Sequence, residues 1–246
     1  MFIGAGTAIN VATVLLGGGL GLLLGGRLPQ RATTLVTQAL GLFTIVLGAD
    51  AVADGVTSAA FAQAVGPTAV WLVVLGGLVL GGVAGSLARV EDRFEDGAEW
   101  LRRRLAKRAE AGRFVNALVT ATLVFCVGPL TLLGTISDGL GRGADQLIVK
   151  SVMDFFSSLA FAASMGVGVV FAAIPLAAIQ GLLTLLGVGL GDFLSAAQLD
   201  SLTATGGVIL IGLGLRLAGV AKIKVADLLP GLAVAPLLVW IIGMVG

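Results

Sequence analysis

Apolar blocks of about 19–24 residues recur along the chain, separated by short stretches of charge, Gly or Pro: 2–25, 33–53, 66–88, 115–136, 145–163, 165–187, 202–221 and 227–245. A helix needs roughly 20 residues to cross about 30 Å of hydrocarbon, and a spanning strand about half that number. The pattern predicts an all-α, polytopic integral membrane bundle of eight transmembrane helices. The run 145–187 is too long for one crossing, and Ser164-Met165-Gly166-Val167-Gly168 is its turn signal. The first block has no basic residue before it and is followed by Arg27, so it reads as a retained span and not as a cleaved signal.

Charge orients the spans. Eight crossings place Arg27, Arg31, the cluster from Arg89 to Arg113, Arg216, Lys222 and Lys224 on one side. By the positive-inside rule that side is cytoplasmic, and both termini face outward. Asp50, Asp54, Asp192 and Asp200 fall in loops of the opposite side, whose only basic residues are Arg142 and Lys150. The long connection 89–113 carries Val90, Phe94, Leu101 and Leu105 at near-helical spacing beside Trp100, with Glu99 and Arg103 at i,i+4. It is expected to lie as an amphipathic helix on the inner membrane surface, its basic residues near anionic headgroups or simply solvated.

Composition narrows the classes. With 57% hydrophobic and 12% charged residues, and a mean hydropathy of +1.07, the solvent is lipid, and a bacterial inner (plasma) membrane is the expected location. The 38 glycines suit a bilayer, where close backbone approach over small residues supplies packing energy. Gly17-xxx-Gly21-xxx-Gly25, Gly77-xxx-Gly81-xxx-Gly85 and Gly187-xxx-Gly191 read as such seams, and exposed seams would permit a homodimer. A net charge of +1 points to no nucleic-acid partner. Cys126 is the single cysteine and there is no histidine, so no disulfide, metal site or cofactor is expected. Ser164 lacks the first Gly of a nucleophile elbow, and the chain is not expected to be an enzyme.

Residues 9–21 laid over 179–191 give seven identities in thirteen, with Asn10 on Gln180, and Gly41 and Gly48 fall over Gly207 and Gly214. Spans 1–3 then correspond to spans 6–8, an odd offset that makes the repeat inverted, as in many secondary transporters. The organisation expected is 1–88 as the first repeat, 89–113 as the surface helix, 114–164 as a central pair of spans, and 165–246 as the second repeat.

Ionisable residues are costly at mid-bilayer depth, roughly 2.5–3.5 kcal/mol on insertion scales. Asp154 sits near the middle of 145–163, with Lys150, Ser151, Ser157 and Ser158 widening its face into a polar stripe. Such a stripe should face the bundle or a wet interior. There Asp154 binds a cation or relays a proton with the serines as hydroxyl ligands, or the Asp–Lys pair only holds helices together. Asn10 and Gln180 line a polar passage or act as interhelical glue. Gly128 and Pro129 mark a helix break, and Asp138, in Ser137-Asp138-Gly139, reads as a turn residue.

On Cys126-Val127-Gly128, Gly134, Asp138-Gly139-Leu140, Lys150-Ser151, Asp154, Ser158, Gly166-Val167-Gly168 and Gln180-Gly181 the chain resembles the bacterial inner-membrane proteins of the YqgA/YdfK type. The likeness runs from Gly6-Thr7, Asn10 and Leu28-Pro29 to Asp227-Leu228-Leu229-Pro230. It departs from that pattern at Pro129, where a small residue is more usual, and at Asp227, where Asn is frequent. The resemblance implies a transporter without an assigned substrate and places the Lys150/Asp154/Ser158 stripe in the family's motif. The expectation is a transporter or channel for an inorganic cation or a proton-coupled small polar solute. The alternative is a non-transporting assembly factor or sensor acting through 89–113.

Overall fold

The computed structural model describes every residue except 1, 26–28, 94–95, 98–99, 101–110, 127–128, 142, 191–193 and 246. Over the described residues its regular structure is helical: α1 (Ala5–Gly25), α2 (Gln30–Val56), α3 (Ala59–Val65), α4 (Ala69–Leu87), α5 (Ala111–Cys126), α6 (Pro129–Gly139), α7 (Asp145–Met165), α8 (Gly168–Phe171), α9 (Ala173–Leu190), α10 (Ala196–Leu217), a 3-10 turn at Val225–Leu228, and α11 (Gly231–Val245).

These helices are inside out by the standards of water. α4 buries Gly77, Gly81 and Gly85 and turns Leu72, Leu75, Val79 and Val83 outward, each more than half exposed. Large apolar groups outward and small ones inward is the arrangement of a helix whose solvent is hydrocarbon and whose packing relies on backbone proximity. Among the described residues six helical stretches are long and apolar enough to cross a membrane: 5–25, 69–87, 145–165, 168–188, 196–217 and 225–244. A seventh is the pair Gly41–Val56 and Ala59–Val65, bent by 56°. The bend follows from Ser58, whose hydroxyl accepts the Phe61 N–H at 3.3 Å to start α3 and donates to Asp200 Oδ2 at 2.5 Å.

Of the stretch expected as the fourth span, the described helical parts are Ala111–Cys126 and Pro129–Gly139. The helix break expected at Gly128 and Pro129 falls at 127–128, outside the described residues. Pro129 has no N–H to offer the Phe125 carbonyl four residues back. The Thr131 hydroxyl donates to that carbonyl at 3.0 Å and satisfies it. The reversal expected at Ser164–Gly168 is present: α7 stops at Met165 and Gly166 takes φ 94°.

Three aspartates expected in loops are helical. Asp50 and Asp54 lie inside α2, and Asp200 lies inside α10. α10 starts earlier than the hydropathy suggests because Ser195 and Gln198 form a capping box. Of the connection 89–113, the positions Phe94, Glu99, Leu101, Arg103 and Leu105 lie outside the described residues.

Backbone contacts divide the chain into two compact units, 1–40 with 95–191 and 41–94 with 192–246. Each therefore joins an earlier and a later segment of the sequence. In the first, α1 and α7 run parallel and in close contact. A methyl group built on Gly17, Gly21 or Gly25 would stand 2.3, 2.2 or 2.6 Å from the carbonyl oxygens of Phe155, Leu159 and Ala163 in turn. Phe125 and Phe161 meet edge-on beneath this seam, with ring centroids 6.4 Å apart.

In the second unit, Gly77, Gly81 and Gly85 of α4 descend past Ala235, Gly231 and Asp227, so α4 and α11 are antiparallel. Gly41 and Gly48 of α2 face Gly214 and Gly207 of α10 reciprocally, each added methyl falling 2.6–2.7 Å from the opposite carbonyl oxygen. An apolar cluster of Phe61, Val70, Val73, Val74, Ala204 and Val239 fills the space between them.

A polar clasp closes one end of this second unit. Glu91 is 3% exposed; its carboxylate pairs with Arg216 and accepts the Ala226 N–H at 2.7 Å. Its own N–H donates to Asp227 Oδ1 at 2.9 Å. Lys224 reaches Asp92 at 3.2 Å, and that hydrogen bond and charge hold its ammonium above the usual range. Arg216 and Lys224 thus share one end of this unit with Glu91 and Asp92, at the start of the 89–113 connection. Glu91→Ala would orphan a guanidinium and a buried N–H and is expected to cost roughly 1.5–3 kcal/mol. Lys224→Ala should leave the melting temperature unchanged, because exposed pairs contribute little. Thermal unfolding of both variants in detergent checks the contrast.

Candidate functional site

Asp154 is at mid-length in the 21-residue α7. The face that α7 turns inward carries Leu147, Lys150, Ser151, Asp154, Ser158 and Phe161, whereas Val149, Val152 and Phe156 are more than half exposed on the other side. Spacing of three and four residues puts the inward set on one stripe. Ser157 falls at its margin, half-buried, and is the one member of the expected stripe not on the buried face.

Within the stripe the charges and hydroxyls are committed. Lys150 Nζ donates to Asp154 Oδ2, with the residues 4% and 6% exposed. The hydroxyls of Ser151 and Ser158 donate to their own helix, to the carbonyls of Leu147 at 2.6 Å and Phe155 at 3.0 Å. Cys126, at the end of α5, is near enough to Lys150 and Asp154 to sense both charges.

Two other helices complete the centre. Thr7 and Thr184 link α1 to α9 through their hydroxyls at 3.4 Å. Further along α1, Gly18 abuts Val170, with 2.9 Å from its added methyl to Val170 Cγ2. α1 rises as the partner chain descends, so the two are antiparallel, and Asn10 and Gln180 fall at the same level between these contacts. Both are fully buried. The Asn10 amide lies beside the Asp154 carboxylate, yet neither its nitrogen nor its oxygen completes a hydrogen bond, and the same holds for both amide atoms of Gln180. Among the described residues these four are the buried side-chain nitrogens and oxygens left without a partner. Each such atom costs about 1–3 kcal/mol of lost hydration.

The structure thus brings Asn10 of α1 beside the stripe of Lys150, Ser151, Asp154 and Ser158, while Gln180 lies on α9, one turn from the Thr184 that meets Thr7 of α1. Three further residues belong to the same setting. Thr7 and Thr184 stand one turn from the two amides, a spacing visible in the sequence once the helices are known to be antiparallel. Asp138 is not a turn residue: it lies in the last turn of α6, is 3% exposed, and accepts the Gly6 N–H at 3.1 Å. It therefore sits on the positive end of the α1 dipole. Among the described residues no group of three or more Cys, Asp or Glu side chains is placed to hold a metal ion.

The comparisons extend the resemblance to nearly the whole chain. The chain is 24% identical over 241 residues, covering 98% of both sequences, to "Uncharacterized membrane protein YdfK" of Bacillus subtilis (strain 168). It is 29% identical over 236 residues, 94% of both, to "Uncharacterized protein YqgA" of Escherichia coli (strain K12). No solved structure matches. The profile described as "Protein of unknown function (DUF554)" matches residues 5–240, and the chain, a multi-pass helical membrane protein, belongs to that family.

Proposed function

We propose that the protein moves a small ion or small polar solute across the bacterial inner membrane, with Asp154 at mid-span as the binding or proton-relay group. One observation carries this reading: a buried charge pair on α7, with Asp154 at its mid-length, has the buried Asn10 amide of α1 beside it, on helices whose outer faces suit lipid. Ionisable groups are costly at that depth, and those retained in helical membrane proteins mark ion or substrate paths and proton relays.

The reading includes an inverted internal repeat, with alternating access around this centre. If Gly41 and Gly48 correspond to Gly207 and Gly214, a two-fold axis converts the contact of Gly41 with Gly214 into that of Gly207 with Gly48, and both contacts exist. In that repeat Asn10 corresponds to Gln180 by sequence, on α1 and the antiparallel α9. With the basic connection 89–113 in the cytoplasm, both termini lie outside.

The test is flux into liposomes carrying the full chain, using Na+, K+, H+ and Cl− gradients and the solutes urea, formamide and glycerol. Asp154→Asn removes a charged hydrogen-bonding group worth about 1.5–3 kcal/mol, or roughly 10–100-fold in affinity. Flux should fall accordingly while the protein elutes and melts as a folded species. Undiminished flux in Asp154→Asn, or a cellular phenotype that responds only to charge reversal within 89–113, would overturn the proposal.

A further inference from the structure

We infer that the ligand of the centre is electrically neutral and carries both hydrogen-bond donors and acceptors, and that Asn10 and Gln180 bind it alongside Asp154. This rests on the transport reading above and narrows it. Lys150 and Asp154 are paired with each other and buried together, so the charge of the stripe sums to zero. An ion entering beside them would shed its hydration with no net counter-charge to receive it. A cation could gain the carboxylate only by expelling an ammonium tethered on the same helix. The serine hydroxyls are already donating to backbone carbonyls.

The open capacity lies in the two amides. Each presents a carbonyl oxygen and an N–H2 group, both amides are fully buried, and beyond the approach of Asn10 to the Asp154 carboxylate their four polar atoms have no hydrogen-bond partner. A neutral molecule that donates to the carbonyls and accepts from the amide nitrogens satisfies them without adding charge. Their equivalent places on antiparallel α1 and α9 offer the same pair of groups to a ligand from either side. Water and small organic amides or polyols share this chemistry.

Stopped-flow light scattering of liposomes containing the full chain separates these sources. A gradient of impermeant sucrose reads water, and gradients of urea, formamide or glycerol read the organic solutes. Electrical recording with Na+, K+ and Cl− reads ions. Entry of at least one neutral probe, at least about tenfold faster than into protein-free liposomes, is expected without current. The near-isosteric Asn10→Leu and Gln180→Met should return that flux to the protein-free level with the melting temperature kept or raised, since each removes unsatisfied buried polar atoms. Water flux alone, lost in the same variants, supports the inference and assigns water as the ligand. A Na+, K+, H+ or Cl− current abolished by Asp154→Asn but unchanged by the two amide variants overturns the neutral ligand and leaves transport standing. Absence of flux for every probe overturns both.

Discussion

Asp154→Leu alone is expected to destabilise the protein by about 3–5 kcal/mol, whereas Asp154→Leu combined with Lys150→Met should be neutral or stabilising by up to about 4 kcal/mol. The single change leaves a buried ammonium, 4% exposed, without its carboxylate. The double change replaces both charges with apolar groups of similar volume on a helix packed over Gly17, Gly21 and Gly25. Measured unfolding of the wild type, both single variants and the double variant in one detergent closes the cycle. Flux through the same four proteins then separates the two roles of the pair. A stable but silent double variant means the charges serve transport, and a stable, fully active one means they serve only to hold helices.

The second large effect is steric, and it carries its own control on α1. Gly21→Val would press a side chain into the Leu159 carbonyl oxygen, 2.2 Å from the added methyl, and must push α1 off α7. Gly19→Val meets nothing within 4 Å. Overpacking typically costs about 1–3 kcal/mol, and because backbone cannot yield as a side-chain tip does, Gly21→Val should reach or exceed the upper end. Gly19→Val should lie within about 0.5 kcal/mol of wild type. Equal melting temperatures for the two variants would mean that the glycine seam is not what joins these helices.

Much of the site was legible because the helical period is a property of the sequence. Residues three and four apart share a face, so Lys150, Ser151, Asp154 and Ser158 could be grouped before any neighbour was known. The glycine runs at every fourth position were readable as seams for the same reason. What periodicity does not carry is the identity and level of the helix opposite. Gly41 and Gly48, seven apart, became a seam only when they met Gly214 and Gly207. Glu91 looked like one charge among many in a basic connection, and Arg216 like an orienting charge. Their pairing, with Asp227 and the Ala226 N–H, joins positions more than a hundred residues apart. Asp138 was misplaced because Asp before Gly ordinarily signals a turn, while its hydrogen bond to Gly6 lies across 132 residues.

The amino-acid sequence by itself determined the solvent of this protein and the faces of its helices. Those depend on run lengths, charge placement and a local period of 3.6 residues, all of which are free of long-range contacts. Tertiary packing alone decided that Asn10 of α1 and Gln180 of α9 are buried with their amides left without completed hydrogen bonds, and local geometry decided that the Phe125 carbonyl takes the Thr131 hydroxyl. The burial of the two amides turns on distances between groups far apart along the chain, which local pattern leaves open.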